Sequence, residues 1–329
     1  SSKKENVSMK NRKYSESLLQ KLYFKSVALL VFFTCCHFQI SAQQTPMYSQ
    51  YMFNMLNINP AYAGNRAVNN ITALYRDQWI GFEGRPLTAV FSWDRRQPES
   101  NVGYGLQLYD DRLGIESTTG LQGFYSYRIP FHQNVLTFGL SLGLLNFKAA
   151  YTETTIIDAG DPAFAQNESV WLPTAGFGLL FAGENWYGGF SIPALLKTKS
   201  FYNDKERTAL TAGANYHYFL TGGYIFKASD GIKLKPSLLF KAVSGAPLQV
   251  DINLNSWWND CVGLGISCRT GEAVVGLVEL QVNPHIRLGY AYDYTISKLN
   301  QFNQGSHELM LRYEFELDKV VEIFSPRYY

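Results

Sequence analysis

From Asn69 onward, stretch after stretch of about ten residues carries an apolar side chain at every second position. In residues 248–255, Leu248, Val250, Ile252 and Leu254 alternate with Gln249, Asp251, Asn253 and Asn255. In residues 286–295, Ile286, Leu288, Tyr290, Tyr292 and Tyr294 alternate with Arg287, Gly289, Ala291, Asp293 and Thr295. Near the end, Leu309, Leu311, Tyr313 and Phe315 alternate with Glu308, Arg312 and Glu314, and only Met310 breaks the pattern. Successive side chains of a strand point to opposite faces, so each segment is a strand with one apolar and one polar face. A soluble sandwich would turn the apolar face into a core. A membrane barrel would turn it to lipid and the charges to a wet lumen.

The connections decide between them. Turn chemistry divides residues 69–317 into about fourteen strands, an even number, with a repeated unit of about ten residues, the length that crosses a bilayer at a tilt. Every second gap is short: 97–101, 130–133, 183–185, 229–231, 257–260 and 283–285. The three long gaps, 152–170, 193–215 and 296–307, all fall in the other set. Short turns at one mouth and long loops at the other are how outer-membrane barrels are built, whereas a soluble sandwich has no reason to sort loops by parity. The composition agrees: 15% aromatic residues and 27 glycines, with only 17% charged against a usual figure of about 25%. The expected fold is therefore all-β, a transmembrane antiparallel barrel over residues 69–317.

The first 42 residues read as an export signal. Met9 precedes Lys10, Arg12, Lys13, Lys21 and Lys25, then the apolar run Val27 to Phe33, then Ile40-Ser41-Ala42 as a cleavage site. Residues 1–8 read as an upstream extension. A lipid-attachment reading of Cys35 or Cys36 suffers from Thr34, a poor neighbour for it. No later apolar run approaches the roughly 20 residues that a membrane helix needs. Both ends of the processed chain, including the tail 318–329, are expected in the periplasm. Cys261 and Cys268 are seven apart in one expected strand, roughly 23 Å at 3.3 Å per residue, so they are expected to be free and packed.

Residues 43–68 differ in kind. Tyr48, Tyr51, Met52, Met55 and Leu56 recur at helical spacing, with Thr45 as a cap and Pro46 in the first turn. The stretch Asn57 to Gly64, with Asn59, Pro60, Tyr62 and Gly64, then ends that helix. A short amphipathic helix before the first strand needs an apolar surface, and a plug in the barrel or a lid under its mouth would supply one.

The stretches Ser49 to Gly64 (SQYMFNMLNINPAYAG), Tyr75 to Pro86 (YRDQWIGFEGRP), SHELMLRYEF and the terminal SPRYY make the chain resemble the PorP/SprF family of Bacteroidota. The resemblance implies an outer-membrane protein of the type IX secretion system, associated with gliding motility and protein secretion. Its implied partners are other components of that system and an adhesin-like cargo with a carboxy-terminal sorting domain. It implies no catalytic residues and no cofactor.

Reading the residues directly leads the same way. The mature histidines, His132, His217, His285 and His307, form no triad or metal spacing, so no enzyme is expected. The net charge of +2, without a basic block in the mature chain, points to no nucleic acid. Arg76, Arg287, Asp293, Arg312 and Glu314 would face the lumen, as a selectivity cluster or as ion pairs that keep interior charges from standing alone. Trp171, Trp186, Trp257 and Trp258 are expected to anchor the barrel at the lipid interface. The Gly-x-Gly pairs at Gly176 and Gly263 are expected to give strands room to curve. Candidate cargo-facing residues are Asp158, Asp161, Tyr202, Asp204, Asn300 and Phe302. A solute channel or a transporter of hydrophobic compounds is the alternative to a secretion role.

Overall fold

The computed structural model describes residues 47–66, 68–153, 166–196, 216–243 and 246–315. The chain divides into two compact units. Gln43–Ser244 with Leu248–Tyr329 carries every strand, and Ser1–Ala42 with Gly245–Pro247 lies almost wholly outside the described residues.

The strands are β1 (Asn69–Asp77), β2 (Leu87–Arg96), β3 (Val102–Leu113), β4 (Glu116–Phe131), β5 (Asn134–Ala149), β6 (Glu168–Ala182), β7 (Trp186–Ile192) and β8 (His217–Tyr224). They continue with β9 (Phe226–Ser229), β10 (Ile232–Val243), β11 (Gln249–Trp258), β12 (Val262–Arg269), β13 (Ala273–Gln281), β14 (Ile286–Thr295) and β15 (Ser306–Phe315). Each pairs antiparallel with its neighbours, and β15 returns to β1, which closes the sheet. Both β8 and β9 pair with β10, as two pieces of one strand position interrupted at Ile225. The described residues thus form a closed barrel of fourteen positions. At the interruption the Ile225 amide leaves the ladder and donates to the Asn185 carbonyl at 2.7 Å.

The wall follows the alternation of the sequence. On β15, Leu309, Leu311 and Tyr313 are exposed, while Glu308, Met310 and Arg312 are buried inside. The outer band is rich in leucine and isoleucine, including Leu106, Leu140, Leu142, Ile252 and Ile266. Tyr104, Tyr127 and Phe131 border it toward one mouth, and Tyr75, Trp171 and Tyr294 toward the other, as interfacial girdles require. No helix among the described residues is long and apolar enough to cross a membrane. The crossing is made by strands.

At one mouth the turns are tight, and Glu99, His132, Asn259 and Asp260 take positive φ values that such turns demand. The other mouth carries all three longest connections, 150–167, 193–216 and 296–305. Two links at that mouth are nevertheless short, 114–115 and 270–272. The first departs from the expected gap because β3 and β4 keep pairing up to Leu113 and Glu116, where Gly114 (φ 58°) makes the turn. β4 and β5 are 16 residues each and β6 is 15, more than the roughly ten needed to cross. The cysteines also differ from expectation: Cys261 lies in a turn, and both are free but exposed rather than packed.

Leu142, 71% exposed, lies at the middle of β5 on the lipid face. Leu142→Arg should lower barrel stability by about 2–4 kcal/mol. Urea unfolding in lipid vesicles, compared with an arginine placed in the long-loop mouth, measures it.

Candidate functional site

The lumen holds the chain's own amino-terminal segment. Residues 47–66 contain one charge, Arg66, and are otherwise apolar or uncharged polar residues, with Tyr, Met and Asn prominent. They form three single 3-10 turns, Tyr51–Phe53, Met55–Asn57 and Pro60–Tyr62, in place of the expected amphipathic helix. From Tyr48 to Asn65 every residue except Asn57 is buried. A helix needs a wet face for its polar stripe, and inside a closed wall there is none. Asn54 and Asn59 leave the helical region, and Pro60 forces its predecessor to the extended conformation seen there (Asn59 φ −140°). The expected cap and first-turn residues, Thr45 and Pro46, lie outside the described residues.

A buried backbone that forgoes a helix must find other partners, and the wall supplies them. Toward the long-loop mouth the Ser49 and Gln50 amides donate to the two Glu308 carboxylate oxygens, each at 2.8 Å. Arg76 donates to Glu308 at 3.0 Å, to Asp293 at 2.7 Å and to Ser49 Oγ at 2.9 Å. Ser49 Oγ in turn donates to Asp293 at 2.6 Å. Tyr48, 3% exposed, packs on Leu74 and Val90, with Tyr109 beside them. Midway, Arg312 donates to the Phe53 carbonyl, and Asn253 donates to the Tyr51 hydroxyl at 2.8 Å. Glu279 lies 3.6 Å from Arg312 and 3.3 Å from Arg287, and accepts from Trp257 Nε1 at 2.8 Å.

At the short-turn end the Asn59 carboxamide spans segment and wall. Its oxygen accepts from the Ala61 amide at 2.9 Å, and its nitrogen donates to the Leu179 carbonyl at 2.9 Å. Ser191 donates to the Ile58 carbonyl at 2.7 Å and Ser126 to the Ala63 carbonyl at 2.6 Å. Asp94 accepts from the Gly64 amide at 3.0 Å, Arg96 donates to the Asn65 carbonyl at 2.8 Å, and Arg66 pairs with Glu314. The wall is cut away beneath this stretch. Any side chain at Gly139 would strike Pro60 and Ala61, and one at Gly178 would strike Asn59. Gly64 itself (φ 61°) lies hard against the Arg95 carbonyl.

The residues singled out in the sequence fall into three groups. Tyr48, Tyr51, Met52, Met55, Asn59, Pro60, Tyr62 and Gly64 all lie buried in the lumen. Arg76 pairs with Asp293, Arg287 and Arg312 share Glu279, and Glu314 takes Arg66, so the five lumen charges fall into three ion-pair groups rather than one cluster. Asn300 and Phe302 are exposed on the loop after β14, whereas Asp158, Asp161, Tyr202 and Asp204 lie outside the described residues.

Other assignments change. Trp257 is 4% exposed and meets Phe53 edge-on at 6.5 Å inside the barrel, so it is no lipid anchor; Trp171, 67% exposed, faces outward. Gly178 receives the segment rather than merely permitting curvature. Glu308, Glu279, Asp94 and the buried pair Arg269–Asp251 (3.2 Å) were not singled out. Glu308 sat in plain view of the alternation, but its partners are on other strands and on the segment.

Glu308→Ala should leave the Ser49 and Gln50 amides without an acceptor and Arg76 with Asp293 as its remaining carboxylate, a loss of about 2–5 kcal/mol. The urea midpoint should fall while the assembled barrel still shows its heat-modifiable gel mobility.

Residues 40–313 match the family model described as type IX secretion system membrane protein PorP/SprF. No curated relative matches the chain. Among solved structures, the outer membrane protein Omp33 of Acinetobacter baumannii is 8% identical with a TM-score of 0.46, over 77% of this chain and 100% of that one. The translocator domain of autotransporter NalP from Neisseria meningitidis is 12% identical with a TM-score of 0.40, over 75% and 88%. Outer membrane phospholipase A from Escherichia coli is 11% identical with a TM-score of 0.37, over 79% and 99%.

Proposed function

The chain belongs to the PorP/SprF family of type IX secretion system membrane proteins, and we propose that within that system it docks or anchors a secreted, adhesin-like cargo at the cell surface. It does so as a non-enzymatic outer-membrane barrel, with its long loops outside and its short turns and carboxy-terminal tail in the periplasm. The cargo carries a carboxy-terminal sorting domain, and its display serves surface functions such as gliding motility.

The observation that carries this reading is the lumen. A segment of the chain itself, buried from Tyr48 to Leu56 and from Ile58 to Asn65 and tied to the wall along its length, occupies the path a solute would take. What remains for recognition is the loop face, and loops on a rigid scaffold are where specificity is cheapest to vary. The loops 152–170, 193–215 and 296–307 are therefore the proposed cargo-facing surface. The buried charges act in this reading as anchors of the segment, not as a selectivity filter.

A second reading, a channel or transporter for small or hydrophobic solutes, has only a recess of about 20 Å³ beside the segment to draw on, bordered by Leu56, Tyr62, Arg66, Asn70 and Asp94. Planar-bilayer recording separates the two. The docking reading expects a silent wild-type barrel and steady conductance after deletion of residues 43–64. A steadily conducting wild type favours the channel.

In cells, loss of the protein should remove one large adhesin-like cargo from the surface while other type IX substrates are still secreted. Shortening the three loops to tight turns, with the barrel assembled, should reproduce that defect. Normal display of every type IX substrate in the deletion strain would overturn the secretion reading.

A further inference from the structure

The direction of the lumen segment has a topological consequence. Its carboxy-terminal end, Gly64 to Arg66, meets Asp94, Arg96 and Glu314, all within a few residues of the ends of β2 and β15 at the short-turn mouth. Its amino-terminal end, Tyr48 and Ser49, meets Arg76, Asp293 and Tyr109, near the ends of β1, β14 and β3 at the long-loop mouth. The segment therefore traverses the barrel from the long-loop mouth to the short-turn mouth, and β1 then climbs back.

We propose that the amino end of the processed chain emerges on the long-loop face, opposite the mouth at which β1 begins. This departs from the sequence-based expectation of a periplasmic amino terminus. It rests on cleavage after Ala42, but not on which face is outside.

Reach decides the matter. Residues 43–47 extend at most about 18 Å at 3.3–3.6 Å per residue. Ser49 is fastened to Arg76, one residue from the end of β1, and to Asp293, two from the end of β14. The rim lies within roughly 7 Å of that level, well inside reach. The other mouth is a β1 length away: nine residues, about 30 Å along the strand and roughly 23 Å along the axis at a 40° tilt. Five residues cannot span it, and the way down is already occupied by their own continuation. The carboxylate of Glu308, holding the Ser49 and Gln50 amides, pins the exit point.

Three single-cysteine variants test the proposal in a Cys261→Ser, Cys268→Ser background: Gln44→Cys, Asn300→Cys in a long-side loop, and Asp230→Cys in a short turn. Cells are treated with a membrane-impermeant maleimide intact, after permeabilisation and after heat unfolding, and the intact mass of the purified chain reports the cleavage point. The expected result is cleavage after Ala42, with positions 44 and 300 labelled on intact cells and 230 only after permeabilisation. If 230 and not 300 labels on intact cells, the assumed orientation fails, and the proposal still requires 44 to follow 300. Labelling of 44 in company with 230 overturns the proposal, as does reactivity of 44 only after heat unfolding. A mass showing a longer retained leader overturns it too, because the reach argument then no longer holds.

Discussion

Glu308 is a carboxylate with no solvent exposure, and the interior of this barrel is arranged around the need to satisfy it. Burying an ion costs several kcal/mol unless it is paired and hydrogen-bonded, and Glu308 receives one guanidinium and two backbone amides. Those donors come from different places. Arg76 stands directly opposite it on β1, and the amides belong to the lumen segment. Asp293 on β14 completes the group by sharing Arg76 and Ser49. One set of side chains therefore joins the first strand, the last strand and the segment at the place where the cylinder closes.

The opposite wall solves a steric problem instead. Asn59 and the residues after it come so close to β5 and β6 that only glycine leaves room at Gly139 and Gly178. Asn59 then spends its carboxamide on both its own turn and the β6 backbone. The segment is held by charge on the seam side and by shape on the far side, which fixes it in one register.

The barrel was legible because its signal is repeated: a period of two, recurring over every strand, survives errors at any one boundary. The interior was legible only in part. Tyr48, Tyr51, Met52 and Met55 have helical spacing, but a segment enclosed on all sides carries apolar residues all round it, broken by Gln50, Asn54 and Asn59 that bond to the wall, and so many apolar positions contain helical spacing by default. Met310 looked like a lapse in alternation; it is buried in the cluster that includes Tyr51 and Met52. Trp257 and Trp258 are adjacent and chemically alike, yet β11 sends one inward and the other out, and their sequence position at a strand end suggested the same role for both. The interior charges followed from alternation, whereas their pairings, made across strands far apart in sequence, did not.

Ser49 and Glu308 are 259 residues apart along the chain. The segment is among the first parts of the mature protein to leave the ribosome, and its main anchor is among the last. During passage to the membrane, Tyr51, Met52, Phe53 and Met55 have no wall to cover them, and aromatic and thioether side chains of this kind attract other apolar surfaces. Nucleation at the amino terminus cannot help, because a contact of such long range forms only after the intervening loop entropy has been overcome. The seal is thus a late event: the Ser49 and Gln50 amides gain their Glu308 acceptor only when the last strand is in place beside the first.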